Sequence, residues 1–117
     1  MKVICVRNTT RGTIVADRAE VADGLVTRLR GLLGRKGLLE GAGMVIQPTN
    51  QIHTFFMQFP IDVLFLDKQG VVLLAIADMR RGRISPFVRH GKTVIELPVG
   101  ALGRSQTQAG DQIELAG

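Results

Sequence analysis

Ten consecutive residues, His53-Thr54-Phe55-Phe56-Met57-Gln58-Phe59-Pro60-Ile61-Asp62, set one imidazole, one thioether and one carboxylate among three of the chain's five phenylalanines. Aromatic side chains are drawn to a core, and a carboxylate that enters a core must be hydrogen-bonded or paired. The segment is therefore either a well-satisfied structural knot or a site. As a site, Asp62 would orient His53 for acid–base work, as the carboxylate–histidine half of a hydrolase triad does. No nucleophile completes that set. A glycine-x-serine-x-glycine elbow is absent, and Thr49, Thr54 and Ser85 have no distinguishing context. The favoured reading is that Asp62 accepts hydrogen bonds from a turn or from Arg30 and holds its strand in register.

His53 and Met57 stand four apart, a spacing that puts both on one side of either a strand or a helix. Imidazole and thioether together suit copper(I), but Met44, Met79 and His90 would have to be brought in by the fold. The metal reading is the weaker one, and no cofactor is expected. Asn50 precedes His53 in the polar loop Gln47-Pro48-Thr49-Asn50-Gln51, a type of loop that positions amides for turns or ligands. Glu96 lies in an apolar run and is a second candidate inward carboxylate, against the plainer options of a structural ion pair or an edge-strand charge facing solvent. Cys5, the only cysteine, forms no intramolecular disulfide, and its run Val3-Ile4-Cys5-Val6 predicts an inert, buried thiol.

Positive charge is concentrated elsewhere. The net charge is +5, and Arg80, Arg81, Arg83, Arg89, His90 and Lys92 crowd one stretch that also carries Phe87. An anion or a nucleic-acid backbone could dock there, but single-strand sites use several stacking rings and this chain has no Tyr or Trp. A solvated loop between two strands is the favoured reading. No Gly-rich phosphate loop is present.

The elements that must position these groups are mostly strands. At 117 residues the chain is expected to form one domain over 1–117, burying roughly two-thirds of its unfolded surface. Lys2 to Arg7 and Gly12 to Ala16 predict a hairpin turned by Asn8 to Gly12. From Asp23 the period changes: Leu25, Leu29, Leu32 and Leu33 share one face, Asp23 can cap it and Gly34 can end it, which predicts a helix over about 23–33. Met44-Val45-Ile46 is a short strand. Ile61 to Asp67 and Gly70 to Ala77 predict a hairpin, apolar at nearly every position, so both faces should be covered. Val94 to Leu97 and Gln112 to Ala116 add strands, with a helical turn near 98–104 started by Pro98. The fold class is α+β and β-rich, a small antiparallel β-barrel-like domain.

Ile52-His53 through Asp62-Val63, followed by Phe65-Leu66-Asp67 and Gly70-Val71-Val72, resembles the central signature of the domain of unknown function 192 family, also called uncharacterised protein family 0127. Arg30-Gly31-Leu32-Leu33-Gly34-Arg35, running on to Gly41-Ala42-Gly43-Met44, resembles its upstream block, and Glu96-Leu97-Pro98-Val99-Gly100 a further one. Gly110-Asp111 extends the match over nearly the whole chain. Leu33, Thr54 and Val99 depart mildly from the residues common there. The resemblance implies a small β-rich fold without an agreed activity, and relatives that often carry an export signal or lipoprotein anchor. Here the first apolar run is four residues long and stops at Arg7, short of the roughly 7–15 residues of an export signal, and no run approaches the roughly 20 that span a bilayer. A cytoplasmic location is expected.

Three functions are compatible with these residues. The first, and preferred, is a non-catalytic module that binds a small polar ligand or partner through the loop around Asn50 and His53 with Asp62 beneath it, the ligand-binding candidates being Asn50, His53, Met57, Asp62, Glu96 and Arg30. The alternatives are an enzyme using His53 and Asp62 as an acid–base pair, and nucleic-acid or anion binding through Arg80, Arg81, Arg83, Arg89 and Lys92.

Overall fold

The computed structural model describes residues 2–22 and 36–117. The chain opens with the antiparallel pair β1 (Lys2–Asn8) and β2 (Thr13–Ala22), in register from Lys2 opposite Val21 to Asn8 opposite Thr13. Gly12 adopts φ +69° and donates its N–H to the Asn8 carbonyl, closing the predicted turn. Strand β2 runs well past Ala16, because Asp17 and Arg18 point to solvent while Ala16, Ala19 and Ala22 line the buried face. The helix predicted over 23–33 lies outside the described residues. Next come β3 (Ala42–Ile46), β4 (Ile61–Leu66), β5 (Val72–Met79) and β6 (Thr93–Leu97). A short helix α1 (Ala101–Ser105) and β7 (Ile113–Ala116) complete the fold.

All seven strands form one curled half-barrel sheet in the order β5-β4-β6-β3-β2-β1-β7. Only β2 and β3 are parallel. Among the described residues the two edge strands approach at their starts, around the bridge of Val71 to Gln112. Gly70 makes that approach possible: φ is +84°, and a Cβ there would lie 2.6 Å from the Ile113 carbonyl oxygen. Asp67 shapes the turn before it by accepting the N–H groups of Gln69 and Val71 through Oδ1.

The sheet is covered on both faces. Val6, Val15, Val45, Leu64, Ile95 and Leu97 meet Ala101 and Leu102 of α1 in one core, and Met44, Ile46, Val63, Phe65 and Val94 meet Ile52, Met57 and Val88 in a second. Strand β4, flanked by β5 and β6, is buried at every position. Strand β5 differs from the sequence expectation: Leu73 to Ile76 are half-buried and Ala77 is exposed, because β5 is an edge strand with a neighbour on one side. Cys5 is also half-buried rather than buried, as it sits near the other edge opposite Ala116. Among the described residues no helix is long and apolar enough to cross a membrane.

A polar knot fastens the first hairpin to the end of the chain. Asn8 Nδ2 donates to Thr107 Oγ1 (3.0 Å) and to Asp111 Oδ2 (2.9 Å), and its own Oδ1 accepts the Arg11 N–H. Asp111 also receives Arg11 Nε at 3.2 Å and the Gln108 N–H at 3.1 Å. Burial would raise the Asp111 pKa, but the hydrogen bonds from Asn8, Arg11 and Gln108 and the Arg11 charge outweigh it and hold the carboxyl below its ordinary value. A lowered carboxyl pKa stabilises the fold above the unfolded-state value, and that contribution is lost as pH falls through the folded-state value. Asp111→Ala, which strands the Asn8 amide and the Arg11 guanidinium, should cost about 2 kcal/mol at pH 7. In urea melts the gap from wild type should close as pH drops below about 4; parallel pH profiles would show that Asp111 is not the linked group.

Candidate binding site

The ten-residue segment and the basic stretch, 30 or so residues apart in sequence, lie side by side. Thr54 is fully buried and joins them. Its backbone N–H donates to the Arg83 carbonyl (2.8 Å) and its carbonyl accepts the Gly82 N–H (3.0 Å). Its hydroxyl donates to the Arg80 carbonyl (2.6 Å) and accepts the Arg83 N–H (2.9 Å). The pairing continues away from Thr54 through the His53–Ile84 bridge, the Ser85 N–H on the Ile52 carbonyl and the Val88 N–H on the Asn50 carbonyl. Ser85 Oγ accepts the Ile52 N–H at 2.9 Å. Two loops that would each be soft alone thus brace one another, with Ile52, Met57 and Val88 pressed into the second core.

The outer side of these paired loops is unusually apolar for a surface. Phe56 is 86% exposed, Phe87 66% and Ile84 61%, and Phe55 is partly exposed against the His53 ring, centroids 5.1 Å apart. Phe56 is held at φ +66°, a left-handed conformation that costs a residue bearing a Cβ about 1–2 kcal/mol. His53 Nδ1 accepts the Phe55 N–H at 3.3 Å, which places the proton of the neutral ring on Nε2. Arg81, Arg83, Arg89, His90 and Lys92 are exposed along the same stretch as Ile84 and Phe87 and form no ion pair among the described residues. Arg80 pairs with Asp78 at 3.0 Å. The Asn50 carboxamide also meets no partner among the described residues.

The remaining candidates go elsewhere. Asp62 is buried on the opposite face of β4, toward α1: Oδ1 accepts the Asp78 N–H (2.8 Å) and Oδ2 those of Gly100 (3.1 Å) and Leu102 (3.0 Å). No hydrogen bond joins it to His53 among the described residues. Met57 and His53 part company, Met57 entering the second core and His53 staying at the surface, because the segment between them turns instead of keeping a helical or extended period. Among the described residues no group of three or more His, Cys, Asp or Glu side chains could hold a metal ion. Arg30 lies outside the described residues.

Glu96 is buried, 5% exposed, on a central strand rather than an edge. It sits opposite Met44 of β3 and Val63 of β4, on the face of the second core, and no described residue hydrogen-bonds its carboxyl. Burial pushes its pKa up to about 7.

Thr54 and Ser85 are the residues that sequence reasoning passes over. As nucleophiles they lack context; their use is to cross-link backbones, and each is a buried hydroxyl between exposed neighbours, which no local pattern signals. Gly91 is the third. A Cβ there would lie 2.9 Å from the Val88 carbonyl and 3.1 Å from Asn50 Cβ, so glycine lets the two loops close.

A β half-barrel bearing a braced pair of loops is the class of protein that fold and site define. The family model of DUF192, described as an uncharacterised ACR, matches residues 6–115, and the chain belongs to that family. Similar proteins include the UPF0127 protein of Thermococcus sibiricus, 32% identical over 114 residues (92% of this chain, 71% of that one), and that of Thermococcus gammatolerans, 33% identical over 110 residues (91% and 71%). Among solved structures, a protein of unknown function from Novosphingobium aromaticivorans superposes with a TM-score of 0.81 at 21% identity, covering 96% of this chain and 83% of that one. A proposed transcription regulator from Sinorhizobium meliloti gives 0.80 at 20% identity, covering 96% and 91%. At these identities the two structures share the fold.

The raised Glu96 pKa carries a consequence for stability. The unfolded chain ionises this carboxyl near 4.5 and the folded chain near 7, so stability is fullest below pH 4.5 and falls as pH rises to about 7. Glu96→Gln should abolish that fall and leave the variant on the order of 3 kcal/mol more stable than wild type at pH 8. Urea denaturation of both proteins between pH 4.5 and 8 checks this; a variant that follows the wild-type slope would assign the linkage to another group.

Proposed function

We propose that this protein is a non-catalytic binding module whose paired loops hold a partner protein through a segment combining acidic and apolar side chains. One observation carries the reading: Phe56, almost fully exposed and held in a costly backbone conformation, stands on a loop paired with a stretch whose Arg81, Arg83 and Arg89 form no ion pair among the described residues. Exposed aromatic rings and arginines are the side chains that dominate binding at protein interfaces. Bracing at Thr54 and Ser85 lowers the entropy lost on contact. The surplus of positive charge, +5 over the chain, favours an acidic partner and speeds its approach. Asn50 and the His53 ring supply hydrogen-bonding groups beside these rings, so two of the residues singled out by sequence join the basic stretch in this reading.

Phe56→Ser should leave stability within about 0.5 kcal/mol of wild type, whereas Phe65→Ala in the core should cost about 3–5 kcal/mol. Binding is tested by amide-shift titration with a blocked twelve-residue peptide of alternating glutamate and leucine, and separately with a twelve-nucleotide oligothymidylate. The peptide should perturb residues 50–56 and 80–92, weaken steeply with salt, and lose roughly tenfold or more in affinity on Phe56→Ser or Arg81→Glu. Tighter binding of the oligonucleotide on the same residues would move the function to single-stranded nucleic acid. Shifts from neither probe would remove the paired loops as a binding surface.

A further inference from the structure

A second groove lies away from the paired loops. It runs beside β5, between that strand and the segment 102–109, with a volume of about 650 Å³. Leu74, Ala75 and Ala77 form one wall, Leu102 and Gln108 lie on the other, and Arg11 stands at one end. Val72 at the start of β5 is tied to the Gly110–Asp111 turn, its N–H donating to the Asp111 carbonyl and its carbonyl accepting the Gly110 N–H. Beyond Val72 the outer edge, from Leu73 to Ala77, meets no backbone partner among the described residues.

Free strand edges are normally blunted by charge, proline or brevity. The other edge strand follows that rule: β7 has four residues, one of them Glu114. β5 does not. It is eight residues long, and Val72-Leu73-Leu74-Ala75-Ile76-Ala77 contains neither a charge nor a proline. The unpaired row of N–H and C=O groups, roughly 13–17 Å long over four or five residues, complements only another extended backbone. The groove beside it also needs filling. Ala75 and Ala77 present only methyl groups to it, so a second copy of β5 would leave most of the space empty, while bulkier side chains at alternate positions would occupy it. Arg11 adds a polar end point: Nε is engaged by Asp111, and the terminal guanidinium nitrogens meet no described acceptor.

We propose that β5 is a strand-addition site: an extended peptide from another protein pairs with its outer edge, sets bulky apolar side chains over Ala75 and Ala77, and offers an oxygen acceptor to Arg11. The site is separate from the paired loops and stands without them.

A phage-displayed library of random twelve-residue peptides, selected on the whole chain and counter-selected on Ala77→Trp, tests the proposal. Enriched sequences should alternate bulky apolar and polar residues. A synthetic member should bind roughly tenfold or more weakly to Ala77→Trp and to Gln108→Trp, each shown folded by thermal melting, and unchanged to Phe56→Ser. N-methylation of its backbone should abolish binding at one set of alternate residues and be tolerated at the other, as pairing along a single edge requires. Failure to enrich peptides over the counter-selection, or equal tolerance of both methylation sets, would overturn the proposal. So would a wild-type dimer in sedimentation that Ala77→Trp dissolves, since the occupant would then be a second copy.

Discussion

Asp62 interrupts the alternation of an otherwise apolar strand with a carboxylate, at a depth where water cannot solvate it. An ion in such a place survives only if the protein supplies donors, and the donors here are three backbone N–H groups from two other segments. Each donor fixes the course of the chain around it. Binding the Asp78 N–H accompanies a φ of +54° at that residue and the register shift between Ile61 and Val63, which ends β5 with a sharp turn toward the basic stretch. Binding the N–H groups of Gly100 and Leu102 fixes the start of α1, whose first turn has no other side-chain cap. Position and direction of α1, the end of β5 and the wall of the groove between them therefore depend on one carboxylate.

On the opposite face the organising group is a neutral hydroxyl. Thr54 both donates and accepts through one oxygen, which lets it join two backbone segments without burying a charge. The neighbouring Ile52 and Met57 anchor the same turn in the second core. The loops can then display Phe56, Ile84 and Phe87 to solvent without collapsing onto them. The two faces thus solve different problems: satisfied polar groups inside hold positions, and apolar groups outside are held away from the core they would otherwise join.

Much of the β framework is legible in the sequence because it rests on local patterns. The apolar runs of β4 and β6, the turn residues Asn8, Gly12, Asp67 and Gly70, and Pro98 ahead of α1 each act within a few residues. Strand β2 reads short because Asp17 and Arg18 look like a strand end, while the alanines opposite them carry no strong β signal. The site is harder. A spacing of four places His53 beside Met57 only in a regular element, and the conformation there is set by Arg80, Arg83 and Ser85, which lie far along the chain. Asn50, His53 and the arginines are each visible as candidates; their joining into one surface is not, since that depends on non-local hydrogen bonds. Glu96 is visible as an inward carboxylate, but its central rather than edge position comes from the order β4-β6-β3, which no local pattern encodes.

The open seam has a physical cause in the same groups. Two register shifts in the β4–β5 pair, one near Leu73 and one near Asp78, add local twist to β5 beyond the point where its start meets the segment leading into β7. The second shift is bound to the Asp62 carboxylate through the Asp78 N–H. The sheet is a half-barrel, with Leu74 and Ile76 half-buried against the second core and their outer backbone edge bare among the described residues. Twist is itself a protection against uncontrolled edge-to-edge association, because a flat partner cannot follow it for long. What such an edge does accept is a single, short, flexible strand able to adopt the same twist, which is why an extended peptide suits it better than a folded copy of the chain.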